Sequence, residues 1–252
     1  MTEAGFHAWA TRTEIILAGA TFLLLLVIAA PYGRHQRPGW GPRMPNAAGW
    51  VVMELPAVLL FIAVHLNGEH RFEAVPLVFA GMWLFHYVQR TFVFPFRLRT
   101  PHKTMPVVIV AMGFAFNVLN AYVVARWTSH LGRYENGWLT DPRFLVGVAA
   151  FFAGYAINQK ADSVLIGLRR PGETGYRLPS GWLYDYVACP NYLGEIIEWS
   201  GFALATWSLP GLAFALFTTA NIGPRAVANL RWYRATFPDY PKDRRALIPF
   251  VV

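Results

Sequence analysis

Long runs of apolar residues, separated by polar segments, dominate the chain. A helix that crosses a membrane needs about 20 largely apolar residues, and most of the runs approach that length. Seven runs are predicted to be membrane-spanning helices: 15–30, 50–66, 75–94, 106–127, 144–158, 196–209 and 212–227. The last two are separated at Pro210-Gly211, a pair of residues that favours a helix break. The pattern predicts an all-α, polytopic membrane protein.

The composition supports this prediction. The chain has 252 residues, of which 55% are apolar and 14% are charged. Soluble domains carry about 25% charged residues, so the deficit argues against an ordinary soluble fold. No internal repeat, low-complexity tract or flexible linker divides the sequence, and we therefore expect a single domain over residues 1–252.

The net charge of +8 fits either a nucleic-acid binder or a membrane protein with basic loops on one side. Sixteen of the 22 Lys and Arg residues lie in four segments that would share one side of the membrane: 31–49, 97–104, 158–190 and 225–252. Five lie in the segments that would be on the other side. This bias predicts an N-terminus outside and a C-terminus in the cytosol. Because the cations are spread over four loops, no nucleic-acid partner is expected.

A carboxylic acid, Glu54, and a phenol, Tyr87, fall inside the second and third predicted spans. An ionisable group within a membrane is costly and marks a functional site by default. The predicted span boundaries place Glu54 about 6 Å and Tyr87 about 10 Å from the cytosolic edge, with Arg90 near them. Two interpretations stay open for these residues. They form a structural ion pair or helix cap, or the carboxylic acid and the phenol together donate hydrogen bonds to a carbonyl oxygen.

The segment 158–191 is polar, aromatic and rich in Gly and Pro, which suits a ligand with phosphates, hydroxyls and flat rings. Neither GxGxxG nor GxxxxGK[ST] occurs, so cations and side-chain amides would have to hold the phosphates. The single cysteine excludes an intramolecular disulfide and a Cys-based metal site, and no metal is predicted.

These residues form motifs that resemble the steroid 5α-reductase family. The resemblance runs in register from about residue 31 to the C-terminus. Its motifs are Pro190-Asn191-Tyr192, Glu195-Ile-Ile-Glu198-Trp199, Arg169-Arg-Pro-Gly-Glu173, Asp239-Tyr-Pro-Lys-Asp-Arg244, Glu54-Leu-Pro56 and His86-Tyr87-Val-Gln-Arg90. The C-terminal motifs are the broad signature of the superfamily, and the Glu54 and Tyr87 segments narrow it to the steroid enzymes.

The resemblance implies a seven-span oxidoreductase that uses NADPH to reduce the C4–C5 double bond of 3-oxo-Δ4 steroids. It assigns the grip on the steroid 3-ketone to Glu54 and Tyr87, and the main cofactor-binding region to residues 158–252. The cofactor contacts that it implies are Arg34, Lys103, Asn158, Asp162, Arg169, Tyr176, Asn191, Glu195, Tyr233 and Arg244. Arg34 and Lys103 are candidates for the 2′-phosphate.

The expected partners are a steroid or another apolar enone lipid and the bilayer, and the expected state is a monomer. A bacterial homologue in the inner membrane is expected, or a protein of the endoplasmic reticulum if the source is eukaryotic. Three alternatives stay open: an isoprenylcysteine or phospholipid methyltransferase that uses S-adenosylmethionine, an NADPH-dependent reductase of a non-steroid enone or polyprenol, and a non-catalytic transporter. The methyltransferase would have no need of Glu54 and Tyr87, and a transporter would show inverted repeats, which the hydropathy lacks.

Overall fold

Helices account for most of the residues that the computed structural model describes, namely 1–99, 102–169, 173 and 175–251. The helices are α1 (Glu3–Val27), α2 (Asn46–Leu66), α3 (Ala74–Val88), α4 (Phe94–Arg97), α5 (Val107–Arg126), α6 (Pro142–Gly167), α7 (Pro190–Thr206) and α8 (Leu209–Thr236). A π-helical segment, Gln89–Val93, joins α3 to α4, and a second one, Trp127–Leu131, extends α5. Short 3₁₀ helices occur at Gly33–His35, Asn136–Thr140 and Trp182–Asp185.

Three helical segments are long and apolar enough to span a membrane: Glu3–Val27, Asn46–Leu66 and Val107–Leu131. The predicted all-α class is thus confirmed, and three helical segments are candidate membrane spans. Each of the other four predicted spans overlaps a helix in the described chain. Whether those helices also cross a membrane stays a prediction.

The predicted break between the last two helices is confirmed, but it lies at Trp207-Ser208 rather than at Pro210-Gly211. Helix α7 ends at Thr206, and Trp207 takes a left-handed conformation with φ of 43°. Ser208 then caps α8, because its side-chain oxygen accepts a hydrogen bond of 3.1 Å from the backbone N–H of Gly211. Pro210 lies in the first turn of α8, where a missing N–H costs no intrahelical hydrogen bond.

A short ribbon fixes the starts of α2 and α5. Strands β1 (Arg43–Pro45) and β2 (Thr104–Pro106) pair antiparallel, with Met44 opposite Met105. Each strand ends in a proline and leads directly into its helix, so α2 and α5 begin side by side. Because α2 begins at Asn46, four residues before the predicted span, Glu54 lies about 12 Å along the helix from its first residue.

Glycines allow α6 and α7 to pack backbone against backbone. A Cβ added at Gly154 would meet the backbone of Glu198, and one added at Gly194 would meet the backbone of Asn158. Small residues at such positions let two helices approach closely in a membrane. The packing brings Asn158 of α6 beside the first turns of α7, where two further predicted cofactor residues lie.

Aromatic side chains fill the core between the helices. Trp83 of α3 and Trp199 of α7 are almost fully buried, and Phe214 of α8 packs between them. The indole N–H of Trp83 donates a hydrogen bond of 2.7 Å to the Ala57 carbonyl, which fixes α3 to α2. A smaller apolar cluster holds the C-terminal segment against the end of α8.

Candidate active site

A cavity of about 280 Å³ lies where the four basic segments meet. Its walls come from the loop after α1, the start of α2, the loops before and after α4, the end of α6, the start of α7 and the end of α8. Nine of the ten predicted cofactor residues line it: Arg34, Lys103, Asn158, Asp162, Arg169, Tyr176, Asn191, Glu195 and Tyr233. The lining is thus not confined to residues 158–252, because Arg34 and Lys103 come from earlier loops.

Three cations surround the ring of Tyr176 at one wall of the cavity. Lys103 donates a hydrogen bond of 2.8 Å to the Tyr176 hydroxyl and lies 4.3 Å from its ring centroid. The guanidinium groups of Arg169 and Arg34 lie 4.8 and 5.7 Å from the same centroid. Like charges placed so close together repel each other, and an anionic ligand between them would relieve the repulsion.

Arg34 has an unused donor in this wall. Its guanidinium lies over the ring of Tyr233 at 4.4 Å and over that of Trp232 at 5.0 Å, so aromatic faces hold it in place. Its buried Nη1 atom has no hydrogen-bond partner among the described residues. A fixed guanidinium with a free donor is the group that binds phosphate oxygens with defined geometry.

The opposite wall carries amides and carboxylates. The side-chain amide of Asn158 donates to the Asn191 carbonyl at 3.0 Å, and the side-chain amide of Asn191 donates to Asp162 at 3.0 Å. Arg90 lies 3.6 Å from the same carboxylate and stacks on Trp50 at 4.4 Å. Arg90 also lies within electrostatic range of Glu54, as expected, but its ion-pair partner is Asp162.

Two further cavity residues were not predicted as ligand contacts. Arg225 donates a hydrogen bond of 3.2 Å to Tyr192 and stacks on Tyr32 at 4.9 Å. Burial raises the pKa of the Tyr32 phenol, and Arg225 opposes that shift. His35 bonds to the Asn229 amide oxygen at 3.0 Å, and burial lowers its pKa. A basic residue directly after Pro224, within an apolar run, was the available signal for Arg225.

Arg244 is the predicted cofactor residue that does not line the cavity. It is buried, donates a hydrogen bond of 2.8 Å to the Pro179 carbonyl and lies 3.6 Å from Asp185. The segment around it pairs with Val187 through a short parallel bridge. In the structure Arg244 holds the loop 179–187 against the C-terminal segment, and its predicted contact with a cofactor stays a prediction.

Glu54 and Tyr87 lie outside the cavity, deeper among the helices. Glu54 accepts a hydrogen bond of 3.0 Å from Asn117 of α5, which also donates to the Met53 carbonyl at 2.9 Å. Tyr87 is 4% exposed and packs between Trp83 and Trp199 at centroid distances of 4.6 and 5.6 Å. Among the described residues, no hydrogen bond joins Glu54 to Tyr87, and the partner of the Glu54 carboxyl is Asn117.

The donor set of the cavity fits a phosphorylated dinucleotide. Fixed cations supply partners for phosphates, the amides and carboxylates supply partners for hydroxyls and a carboxamide, and tyrosine rings supply flat faces. No group of three or more metal-binding side chains occurs among the described residues. The cations of the cavity suit a ligand that carries phosphate groups.

Comparisons with known proteins show the family of the chain. A family model described as 3-oxo-5-alpha-steroid 4-dehydrogenase matches residues 103–252. The chain is 44% identical to the steroid 5-alpha-reductase DET2 of Gossypium hirsutum, over 98% of this chain and 97% of that protein. It is 40% identical to the protein of the same name from Arabidopsis thaliana, over 100% and 98% of the two chains. It is 41% identical to 3-oxo-5-alpha-steroid 4-dehydrogenase 1 of Bos taurus, over 95% and 94%.

Proposed function

Because the chain belongs to the 3-oxo-5-alpha-steroid 4-dehydrogenase family, we propose that it reduces the C4–C5 double bond of 3-oxo-Δ4 steroids to 5α-dihydro steroids with NADPH. The observation that carries the proposal is the convergence of nine predicted cofactor residues, from distant parts of the chain, on one cation-lined cavity. Relatives that match almost the whole chain are named for this reaction on steroids.

The cavity is the proposed site of NADPH. Arg34, Lys103 and Arg169 would hold its phosphates, and Arg34 has the free donor for the 2′-phosphate. Asn158 and Glu195 would contact the nicotinamide end, because both line the cavity and Glu195 lies within electrostatic range of Glu54 and Tyr87. When bound, NADPH supplies a hydride.

Glu54 and Tyr87 are the proposed grip on the steroid 3-ketone. A carboxylic acid and a phenol that donate to the ketone oxygen would stabilise the negative charge that develops there as C5 accepts hydride. Asn117 orients the Glu54 carboxyl, and the two indoles around Tyr87 restrict its ring. The substrate would enter from the bilayer between the helices, since a steroid is largely apolar.

The proposed topology has seven spans, an outside N-terminus and a cytosolic C-terminus. It is supported by the position of the cavity, because the four segments predicted to be cytosolic supply its walls. NADPH is a cytosolic cofactor, so the proposed reaction requires this orientation. Reporter fusions at both termini test the orientation, and a cytosolic N-terminus would contradict it.

The experiment that tests the reaction uses the purified protein in detergent, incubated with NADPH and testosterone or progesterone. We expect a 5α-dihydro product and stoichiometric loss of NADPH absorbance. Binding of S-adenosylmethionine without a 5α-dihydro product would instead support the methyltransferase alternative. Turnover of a non-steroid enone lipid, with both steroids inert, would keep the cofactor and replace the substrate.

A further inference from the structure

The proposed reaction needs a proton at C4 as well as a hydride at C5, and this inference rests on that reaction. Glu54 and Tyr87 are engaged at the ketone oxygen, so neither is free to protonate the carbon. A donor for C4 should lie between the ketone-binding residues and the cofactor cavity, since C4 lies between C3 and C5. It should also be shielded from bulk water.

His86 and Glu198 form a buried pair in that region. The Nδ1–H of His86 on α3 donates a hydrogen bond of 2.7 Å to Oε1 of Glu198 on α7. The two residues are 3% and 0% exposed, and Oε2 of Glu198 has no partner among the described residues. Burying such a pair carries a desolvation cost that often exceeds its attraction, so its stabilising value alone does not explain it.

The surroundings of His86 match the position that a C4 donor needs. Its ring lies 5.0 Å from that of the adjacent Tyr87 and 4.7 Å from that of Trp199. Glu54, on the ketone side, and Glu195, at the cavity, both lie within electrostatic range of the imidazole. In the described chain, the hydrogen bond to Glu198 is made by Nδ1, and no side chain bonds to Nε2.

We propose that His86 protonates C4 from Nε2 and that Glu198 is its positioning residue. A carboxylate on one ring nitrogen orients an imidazole and stabilises its protonated form, which leaves the other nitrogen to transfer a proton. After hydride addition, the C3–C4 π electrons of the enolate form the new C4–H bond and the oxygen lone pair restores the C3 carbonyl. Nε2 loses its proton, and water from the cytosolic cavity returns one.

The test compares His86→Gln with a matched variant, His65→Gln. His65 is also a buried histidine, but it bonds to the Arg71 carbonyl at the other end of the bundle. Each enzyme reduces testosterone with NADPH in D₂O, and the product is analysed for deuterium on each face of C4. A general acid contributes about 10²–10⁴-fold to a rate.

For His86→Gln we expect a fall in kcat of about 10²-fold, deuterium on both faces of C4, and a steroid KM within about two-fold of wild type. His65→Gln should match wild type, which places deuterium on one face. Single-face deuteration by His86→Gln, with unchanged kcat, would overturn the role of His86. Absence of product from the wild-type enzyme would contradict the proposed function itself, and the role of His86 would fall with it.

A second measurement needs neither turnover nor a stable variant. In cofactor-free wild-type protein labelled with ¹⁵N-histidine, testosterone should shift the Nε2 resonance of His86 and leave that of His65 unchanged. An unmoved His86 resonance at a steroid concentration that saturates binding would overturn the proposal. Glu198→Gln should shift both nitrogen resonances of His86, because it replaces the carboxylate on Nδ1 with a neutral amide.

Discussion

The cavity and the Glu54–Tyr87 region differ in how much of each is already formed. The cavity is open, its cations are held over aromatic rings, and Arg34 already has an unused donor. The Glu54–Tyr87 region is closed: Tyr87 is packed between indoles, and the partner of Glu54 is Asn117. The first region can receive the proposed polar cofactor as it stands, whereas the second would have to open to admit the proposed steroid.

The difference implies that charge-assisted hydrogen bonds would dominate binding of the proposed cofactor, and burial of apolar surface binding of the proposed steroid. A phosphorylated cofactor gains charge-assisted hydrogen bonds from groups already in place. A steroid gains mainly from the burial of apolar surface, about 25 cal/mol per Å², and its single ketone decides its orientation. Variants in one region should therefore leave binding in the other largely unchanged.

The largest expected effect comes from the ketone grip. Glu54→Gln and Tyr87→Phe should each lower kcat for testosterone by about 10²–10³-fold, because each removes a donor to the developing oxyanion. NADPH affinity, measured by fluorescence titration, should change less than about two-fold. Tyr122→Phe is the control and should keep full activity, because Tyr122 lies on α5 and packs against Phe6 at the start of α1. Normal turnover by both variants would remove the proposed grip.

The next largest effect comes from the close packing of α6 against α7, the helix that carries residues of both regions. Gly154→Ala would force a methyl group against the backbones of α7, and overpacking of this kind costs about 1–3 kcal/mol. We expect a lower Tm together with weaker binding of both NADPH and steroid, since α7 carries groups of both regions. Gly223→Ala on α8, where no atom lies within 4 Å of the added Cβ, is the control. Equal Tm values for the two variants would contradict the close packing.

Arg34→Gln should affect the cavity alone. Loss of a hydrogen bond to a charged group costs about 1.5–3 kcal/mol, so we expect NADPH to bind about ten-fold more weakly or worse. NADH binding should change less, if Arg34 holds the 2′-phosphate. Arg37→Gln is the control, because Arg37 stacks on Trp40 and does not line the cavity. Equal losses for NADPH and NADH would place Arg34 on another phosphate.

The helical class and the residues that line the cavity were predicted better from the sequence than the hydrogen-bond partners of individual side chains. Arg34 and Lys103 were implied by the family resemblance, and the fold brings both to Tyr176, as expected of residues that share a ligand. Arg244 shows the limit, because its motif position gave no sign that it would bind the Pro179 carbonyl. Partners of that kind depend on how distant loops pack, which hydrophobic periodicity does not encode. The role of Glu54 and Tyr87 stays a prediction.

The smallest expected effect is a pH dependence of stability from His35, at the edge of the cavity. Burial lowers its pKa, and the nearby charges of Arg34, Arg225 and Arg37 act in the same direction, while Asn229 opposes them. Because the folded pKa lies below the unfolded value of about 6.5, the folded protein binds fewer protons below that pH. The stabilising contribution is therefore complete above about pH 6.5 and is lost as pH falls through the folded pKa. We expect Tm to fall less between pH 7.5 and 5.5 in His35→Gln than in wild type. Equal losses of Tm in the two proteins would mean that His35 has an ordinary pKa in the folded protein and is well solvated.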